Sequence, residues 1–168
     1  MMSGMDSGPL LRQAVRAIVL DDAGRILLVR FEFPEGSAAN RSVWATPGGG
    51  IEAHESEREA LTRELTEETG VREIQVGPLV WTRTHLFPMS TGHEGQQERY
   101  YLVRTPAFEP APELTPAELR EESVAELRWW TMTELARSRE VFAPRQLPRC
   151  LASLLADGPP AIPIDVGV

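Results

Sequence analysis

The segment Gly49-Gly50-Ile51-Glu52-Ala53-His54-Glu55-Ser56-Glu57-Arg58-Glu59-Ala60-Leu61-Thr62-Arg63-Glu64-Leu65-Thr66-Glu67-Glu68-Thr69-Gly70-Val71 decides how the rest of the chain is read. It carries seven glutamates and two arginines behind a glycine-rich entry. Ser56 followed by Glu59 is a capping-box pattern, and Gly70 is of the type favoured just past a helix end, so the spacing predicts a helix that stops after Thr69. Advancing about 100° per residue along it puts Glu64 and Glu68 in the angular sector of Ala60, Leu61 and Leu65. On a solvated helix the acids would lie opposite the leucines. Here they are pressed toward the body of the protein, where like charges one turn apart repel and burial is costly unless a cation neutralises them. A divalent metal would do so. Oxygen ligands without a histidine or cysteine cluster favour Mg2+ or Mn2+ over zinc. The plainer reading is a surface helix rich in Glu and Arg, with Arg63 and Glu67 as an i, i+4 pair.

Upstream, Pro47-Gly48-Gly49-Gly50 allows the backbone to approach a ligand closely, and Val43 to Thr46 reads as a short strand leading into it. Gln13 to Leu20 and Arg25 to Phe31 are β-prone runs joined by Asp21-Asp22-Ala23-Gly24, which predicts a hairpin of two core strands. Glu32 to Ser42 has no periodicity and is expected as an exposed loop. Downstream, Ile74 to Thr84 reads as a strand with an irregularity at Gly77-Pro78, His85 to Gln97 as a mobile loop, and Glu98 to Arg104 as a strand. Thr105 to Ser123 is a proline-rich acidic connection with a helical turn at Pro116 to Arg120. Glu126 to Trp130 is a last strand. Thr131 caps a short helix to Arg137, and Pro144 to Ala156 forms a final amphipathic helix. Together these predict one α+β domain over residues 1–168, with an ordered core at about 10–157 and flexible tails.

At 42% hydrophobic and 25% charged residues, the composition is that of an ordinary globular protein. A formal charge of −8 argues against a broad basic surface for a nucleic-acid polymer. No apolar run approaches the ~18 residues of a membrane span. The lone Cys150 and the lack of a signal-like start point to the cytoplasm. All seventeen basic residues are arginine, so no lysine serves as a Schiff-base former or P-loop contact.

From Gly49, five residues lead to Glu55 and seven more to Arg63, followed by Glu64-Leu65-Thr66-Glu67-Glu68-Thr69-Gly70-Val71. This resembles the Nudix box, Gly-x5-Glu-x7-Arg-Glu-U-x-Glu-Glu-x-Gly-U with U a bulky aliphatic, and every specified position matches. The resemblance implies an α/β/α sandwich around a mixed sheet, with the box as loop, helix and loop. It implies hydrolysis of a pyrophosphate linkage in a nucleoside diphosphate joined to another moiety, using Mg2+ or Mn2+. Substrates of that kind include nucleotides, nucleotide sugars, dinucleoside polyphosphates and modified nucleoside triphosphates. Carried over position by position, Glu64, Glu67 and Glu68 are metal ligands with the Gly48 carbonyl a further candidate, and Glu55 and Arg63 orient the helix carboxylates. For the base, Glu64, Glu94, Glu98 and Glu122 are candidates, with Glu98 placed first among the loop residues because it opens a strand. Arg41, Arg83 and Arg99 have forks suited to phosphate, and Phe87, Trp81 or Trp44 offer a stacking surface. The family's substrate markers do not assign one here: Leu86 stands where ADP-ribose-type members have proline, and Phe87-Pro88-Met89 where dinucleoside-polyphosphate members have tyrosine. The partner expected is a small phosphorylated molecule, and a homodimer is in keeping with the resemblance. The alternative function is a nucleotide-sensing module without turnover, although such members usually lack box glutamates and none is missing here.

Overall fold

The computed structural model describes residues 7–33 and 41–168. Its order is β1 (Leu11–Leu20), β2 (Ile26–Phe33), β3 (Arg41–Ala45), β4 (Gly48–Gly50), α1 (Glu57–Thr69), β5 (Gln75–Leu86), β6 (Gly95–Arg104), α2 (Pro116–Glu121), β7 (Val124–Trp130), α3 (Met132–Arg137), β8 (Phe142–Ala143), α4 (Leu147–Asp157) and β9 (Ile164–Asp165). The strands form one mixed sheet in the order β8-β3-β2-β1-β6-β5-β9, with β4 paired to β1 and β7 to β2. The sheet has helices on both faces, so the α/β/α sandwich holds.

Alternation along the central strands builds the two cores. Ile18 and Leu20 of β1 join Leu28, Trp81, Tyr100 and Leu102 under Leu147, Leu151 and Leu154 of α4. Val15, Ala17 and Val19 face the other way, joining Leu27, Tyr101 and Val103 under Ala60, Leu61 and Leu65 of α1. Each fully buried leucine contributes on the order of 1.5–3 kcal/mol, enough to lock the rotation of α1 about its axis. That rotation aims its glutamates.

Several expectations shift. The hairpin pairs at Leu20↔Ile26, but β1 then leaves β2 and runs parallel to β6 from Leu11↔Gly95 to Leu20↔Arg104. The glycine segment, expected as a loop, lies as β4 against β1, with Val15↔Gly49 and Arg16↔Gly48. A strand without side chains has no pattern to read. The mobile loop 85–97 is shorter than expected, because β5 continues to Leu86 and β6 starts at Gly95. The irregularity at Gly77-Pro78 is present as register shifts between Val76 and Trp81. The expected C-terminal tail carries β9, which pairs with the β5 edge at Trp81↔Ile164 and Thr82↔Asp165. The last helix begins at Leu147 rather than Pro144. Most of the loop 32–42 lies outside the described residues, as do residues 1–6 of the N-terminal tail. Among the described residues no helix is long and apolar enough to cross a membrane.

Candidate active site

Helix α1 begins where the sequence places it. Ser56 and Glu59 make the reciprocal capping box, and Gly70 takes the left-handed conformation, φ 75°, that ends the helix. The connection at 105–115 then seals the helix end: Ala111 N–H donates to the Thr69 carbonyl at 2.9 Å and Glu113 N–H to that of Glu67 at 3.0 Å. With both ends fixed and Leu61 and Leu65 in the core, Glu64, Glu67 and Glu68 face a cleft of ≈ 310 Å3 whose opposite wall is β4 and the start of β1.

Close approach of backbone to carboxylate forms this wall. Gly48, at φ 144°, lies so near β1 that a Cβ would stand 2.1 Å from the Val15 carbonyl oxygen, and one on Gly49 would stand 2.6 Å from Glu64 Oε1. The Gly48 N–H donates to Glu68 Oε2 at 3.1 Å. Glu68 is 3% exposed. Burial, reinforced by Glu64 and offset by Arg16 and the Gly48 N–H, pushes its carboxyl up to about 8. Burial also raises Glu64, against the pull of Arg63. These are the inward-facing acids anticipated from the helical projection.

Arg63 organises the outer half. Its Nε and Nη2 grip Glu55 at 2.7 and 2.8 Å, Nη1 donates to Glu64 at 2.9 Å, and Nη2 reaches the Gly50 carbonyl at 3.1 Å. Glu67 is 3.5 Å from Nη1. The fork and the Glu52 N–H hold Glu55 at about 2, and its partners raise Arg63 further above its usual range. Among the described residues no three His, Cys, Asp or Glu side chains converge as a closed metal cage, because Glu64 and Glu67 turn toward this guanidinium. Their chemistry still fits a hard divalent cation: the donors are all oxygen, and the buried Glu68 and half-buried Glu64 resist ionisation on their own.

Other candidates are dispersed. Glu98 is 3% exposed and lies on the sheet face beneath the cleft without lining it. Its Oε2 accepts from Arg16 Nε at 2.7 Å and from the Tyr100 hydroxyl at 3.2 Å, and its Oε1 accepts from Arg83. Although burial alone would raise it, Arg16 and Arg83 hold its carboxyl below the usual range. A carboxylate so occupied is a poor proton acceptor, which departs from the expectation that ranked it first among the loop bases. Arg83 is buried against it, away from the cleft. Arg99 pairs with Glu57 at 2.7 Å on the α1 side of the sheet. Phe87 packs on His85 at the tip of the β5–β6 hairpin, with ring centroids 4.7 Å apart, and Glu94 binds the Leu10 N–H nearby. Trp44 and Trp81 are core residues. The Arg41 side chain lies outside the described residues.

Glu122 does line the cleft, placed there by the C-terminal end of α2 and the left-handed Ser123, φ 61°. Arg12, Arg16 and Phe31 also line it, and none was singled out from the sequence. Arg16 carried a readable signal, being a charge inside the otherwise apolar run Ala14-Val15-Arg16-Ala17-Ile18. Arg12 and Phe31 carried none, since alternation alone does not say which strand end abuts the cleft.

The comparisons with known proteins agree with this geometry. Over 106 aligned residues the chain is 34% identical to a protein of Stutzerimonas stutzeri called an RNA pyrophosphohydrolase, an alignment covering 55% of this chain and 60% of that relative's length. Among solved structures, a NUDIX hydrolase from Nitrosomonas europaea superposes with TM-score 0.65 at 16% identity, covering 95% of this chain and 80% of the other. The NUDIX domain of Shewanella oneidensis NrtR, complexed with ADP ribose, superposes with TM-score 0.60 at 19% identity over 86% and 88%. These likenesses show the fold. Members of the NUDIX family generally use divalent metal ions. The NUDIX domain family model matches residues 10–150, and with the box in place on α1 the chain belongs to the NUDIX family.

Proposed function

We propose that the protein is a Mg2+-dependent pyrophosphohydrolase, with Mn2+ able to substitute, acting in the cytoplasm on a pyrophosphate linkage of a nucleoside diphosphate joined to another moiety. The observation that carries this reading is that Glu64, Glu67 and Glu68 line one cleft with the glycine backbone opposite. A divalent cation held by those carboxylates and the Gly48 carbonyl would screen phosphate oxygens and make an attacking water more acidic. The chain's own residues supply the rest. Arg63, fixed by Glu55, aligns Glu64 and Glu67. Arg12 and Arg16 line the cleft; Arg12 offers a forked donor to phosphate oxygens, while Arg16 has Nε and Nη1 on Glu98 and the Thr46 and Gly48 carbonyls. Glu64 and Glu122 both line the cleft, and either carboxylate would serve as acceptor for the proton of the attacking water. Glu98 supports Arg16 from below.

The chain spans about 60% of the length of the curated relatives it matches, and these are called RNA pyrophosphohydrolases. A 5′-triphosphorylated RNA end therefore joins the small nucleotides as a candidate substrate. The test is a panel of nucleotide sugars, dinucleoside polyphosphates, nucleoside triphosphates and 5′-triphosphorylated RNA, with product analysis in Mg2+. Metal-dependent cleavage by the wild type that Glu67→Gln reduces about 10²-fold or more supports the reading. Tight nucleotide binding without turnover of any substrate would replace it by the sensing-module reading.

A further inference from the structure

The buried charge cluster beneath the cleft is attached to the glycine segment through one side chain. Pairing of β1, β6 and β5 sets Ala14 opposite Glu98 and Arg83 opposite Glu98 in neighbouring ladders, with Arg16 one step along the same face. Glu98 thereby meets two guanidinium groups and a phenol, with Glu98, Arg83 and Tyr100 buried and Arg16 reaching the cleft. Both of its oxygens accept from these partners.

What this cluster steadies lies at the far side of Arg16. Nη1 donates to the carbonyls of Thr46 at 3.3 Å and Gly48 at 3.2 Å. Gly48 in turn donates its N–H to Glu68. One guanidinium thus references both a carbonyl and, through the same residue, a carboxylate of the proposed metal site. The carbonyl has a second lone pair for another partner. Pairing of β4 with β1 fixes the Gly48 backbone; among the described residues Arg16 is the side chain that donates to its carbonyl, and Glu68 accepts from its N–H.

We propose that Arg16 is a positioning residue for the metal-binding half of the cleft, clamped by Glu98 and setting the Gly48 carbonyl and, through the Gly48 N–H, the Glu68 carboxylate. This rests on the reading of the cleft as a metal-dependent hydrolase site. Groups that orient metal ligands from behind typically change metal affinity or activity ~10–100-fold when removed.

The test is Mn2+ binding by electron paramagnetic resonance titration, with thermal melts and steady-state kinetics, on wild type, Arg16→Met and Arg16→Lys. Arg16→Met leaves Glu98 paired with Arg83, so no buried charge is stranded. Arg16→Lys retains the charge facing Glu98 but loses the fork that also reaches Thr46 and Gly48. The expected result is cooperative melting in both variants with Mn2+ dissociation constants raised roughly 10–100-fold, and kcat lowered more than KM is raised. A purely structural role would lower the melting temperature and leave Mn2+ affinity of the folded fraction unchanged. Wild-type Mn2+ affinity and kcat in either folded variant overturn the proposal. A wild type that neither binds Mn2+ nor cleaves any pyrophosphate removes the hydrolase reading, and this proposal with it.

Discussion

Two adjacent glycines separate fold from function, and Gly49→Ala is the informative change. Gly49 does not need a left-handed backbone, so alanine is conformationally acceptable there. Its Cβ, however, would stand 2.6 Å from Glu64 Oε1 and 2.9 Å from Oε2. To regain ordinary contact the carboxylate must retreat by about 0.8 Å, and a misplacement of ~1 Å in a reacting constellation costs on the order of 10²-fold in rate. Because the carboxylate is the far end of a flexible side chain, stability should change by no more than about 1 kcal/mol. Gly48→Ala is the contrast. There φ is 144° and the Cβ meets the Val15 carbonyl oxygen at 2.1 Å, a backbone clash that separates β4 from β1 and costs on the order of 3 kcal/mol. The assay is kcat under saturating Mg2+ on the best substrate of the panel, with urea unfolding of the same samples. Gly49→Ala with wild-type kcat would refute the reasoning, since Glu64 would then tolerate displacement. So would an equal loss of stability in both variants.

The metal-free protein should melt at a higher temperature near pH 5.5 than near pH 8. The Glu68 carboxyl is raised to about 8 from an ordinary 4.5, so the folded state binds more protons across that interval and loses stability as pH rises through it. Glu68→Gln should flatten the dependence, and saturating Mg2+ should flatten it in the wild type; melts at matched ionic strength check both. Glu98 has the opposite sign. Held below the usual carboxylate range, it contributes stability that is present at neutral pH and lost as acid protonates it. Glu98→Gln, which strands Arg16 and Arg83 in a buried site, should cost ~3–5 kcal/mol by urea unfolding at pH 7 and less at low pH. A variant as stable as wild type at pH 7 would show that the cluster carries no net stabilisation.

How much was legible follows the range of the interactions involved. The limits of α1 were readable because a capping box and a terminal glycine act within a few residues. The inward aim of Glu64 and Glu68 was readable because helical geometry ties them to Leu61 and Leu65. The displaced candidates share a different cause. Arg83 and Glu98 suit phosphate and proton chemistry by residue type, yet strand register turns each toward the other. Arg99, one residue along, points to the opposite face and takes Glu57. Phe87 lies past the end of β5, where nothing local says how far the cleft is.

The chain by itself determined the helix that carries the carboxylates and the family to which it belongs, because those rest on spacing and composition within one contiguous segment. Only the tertiary structure decided which arginines face the cleft, that Glu122 lines it while Glu98 does not, and that a glycine triplet serves as a strand. The physical reason is that β1 and β6 pair in parallel across more than eighty residues of sequence. A one-residue slip in that register would put Arg16 and Glu98 on opposite faces of the sheet, and no local pattern records the register.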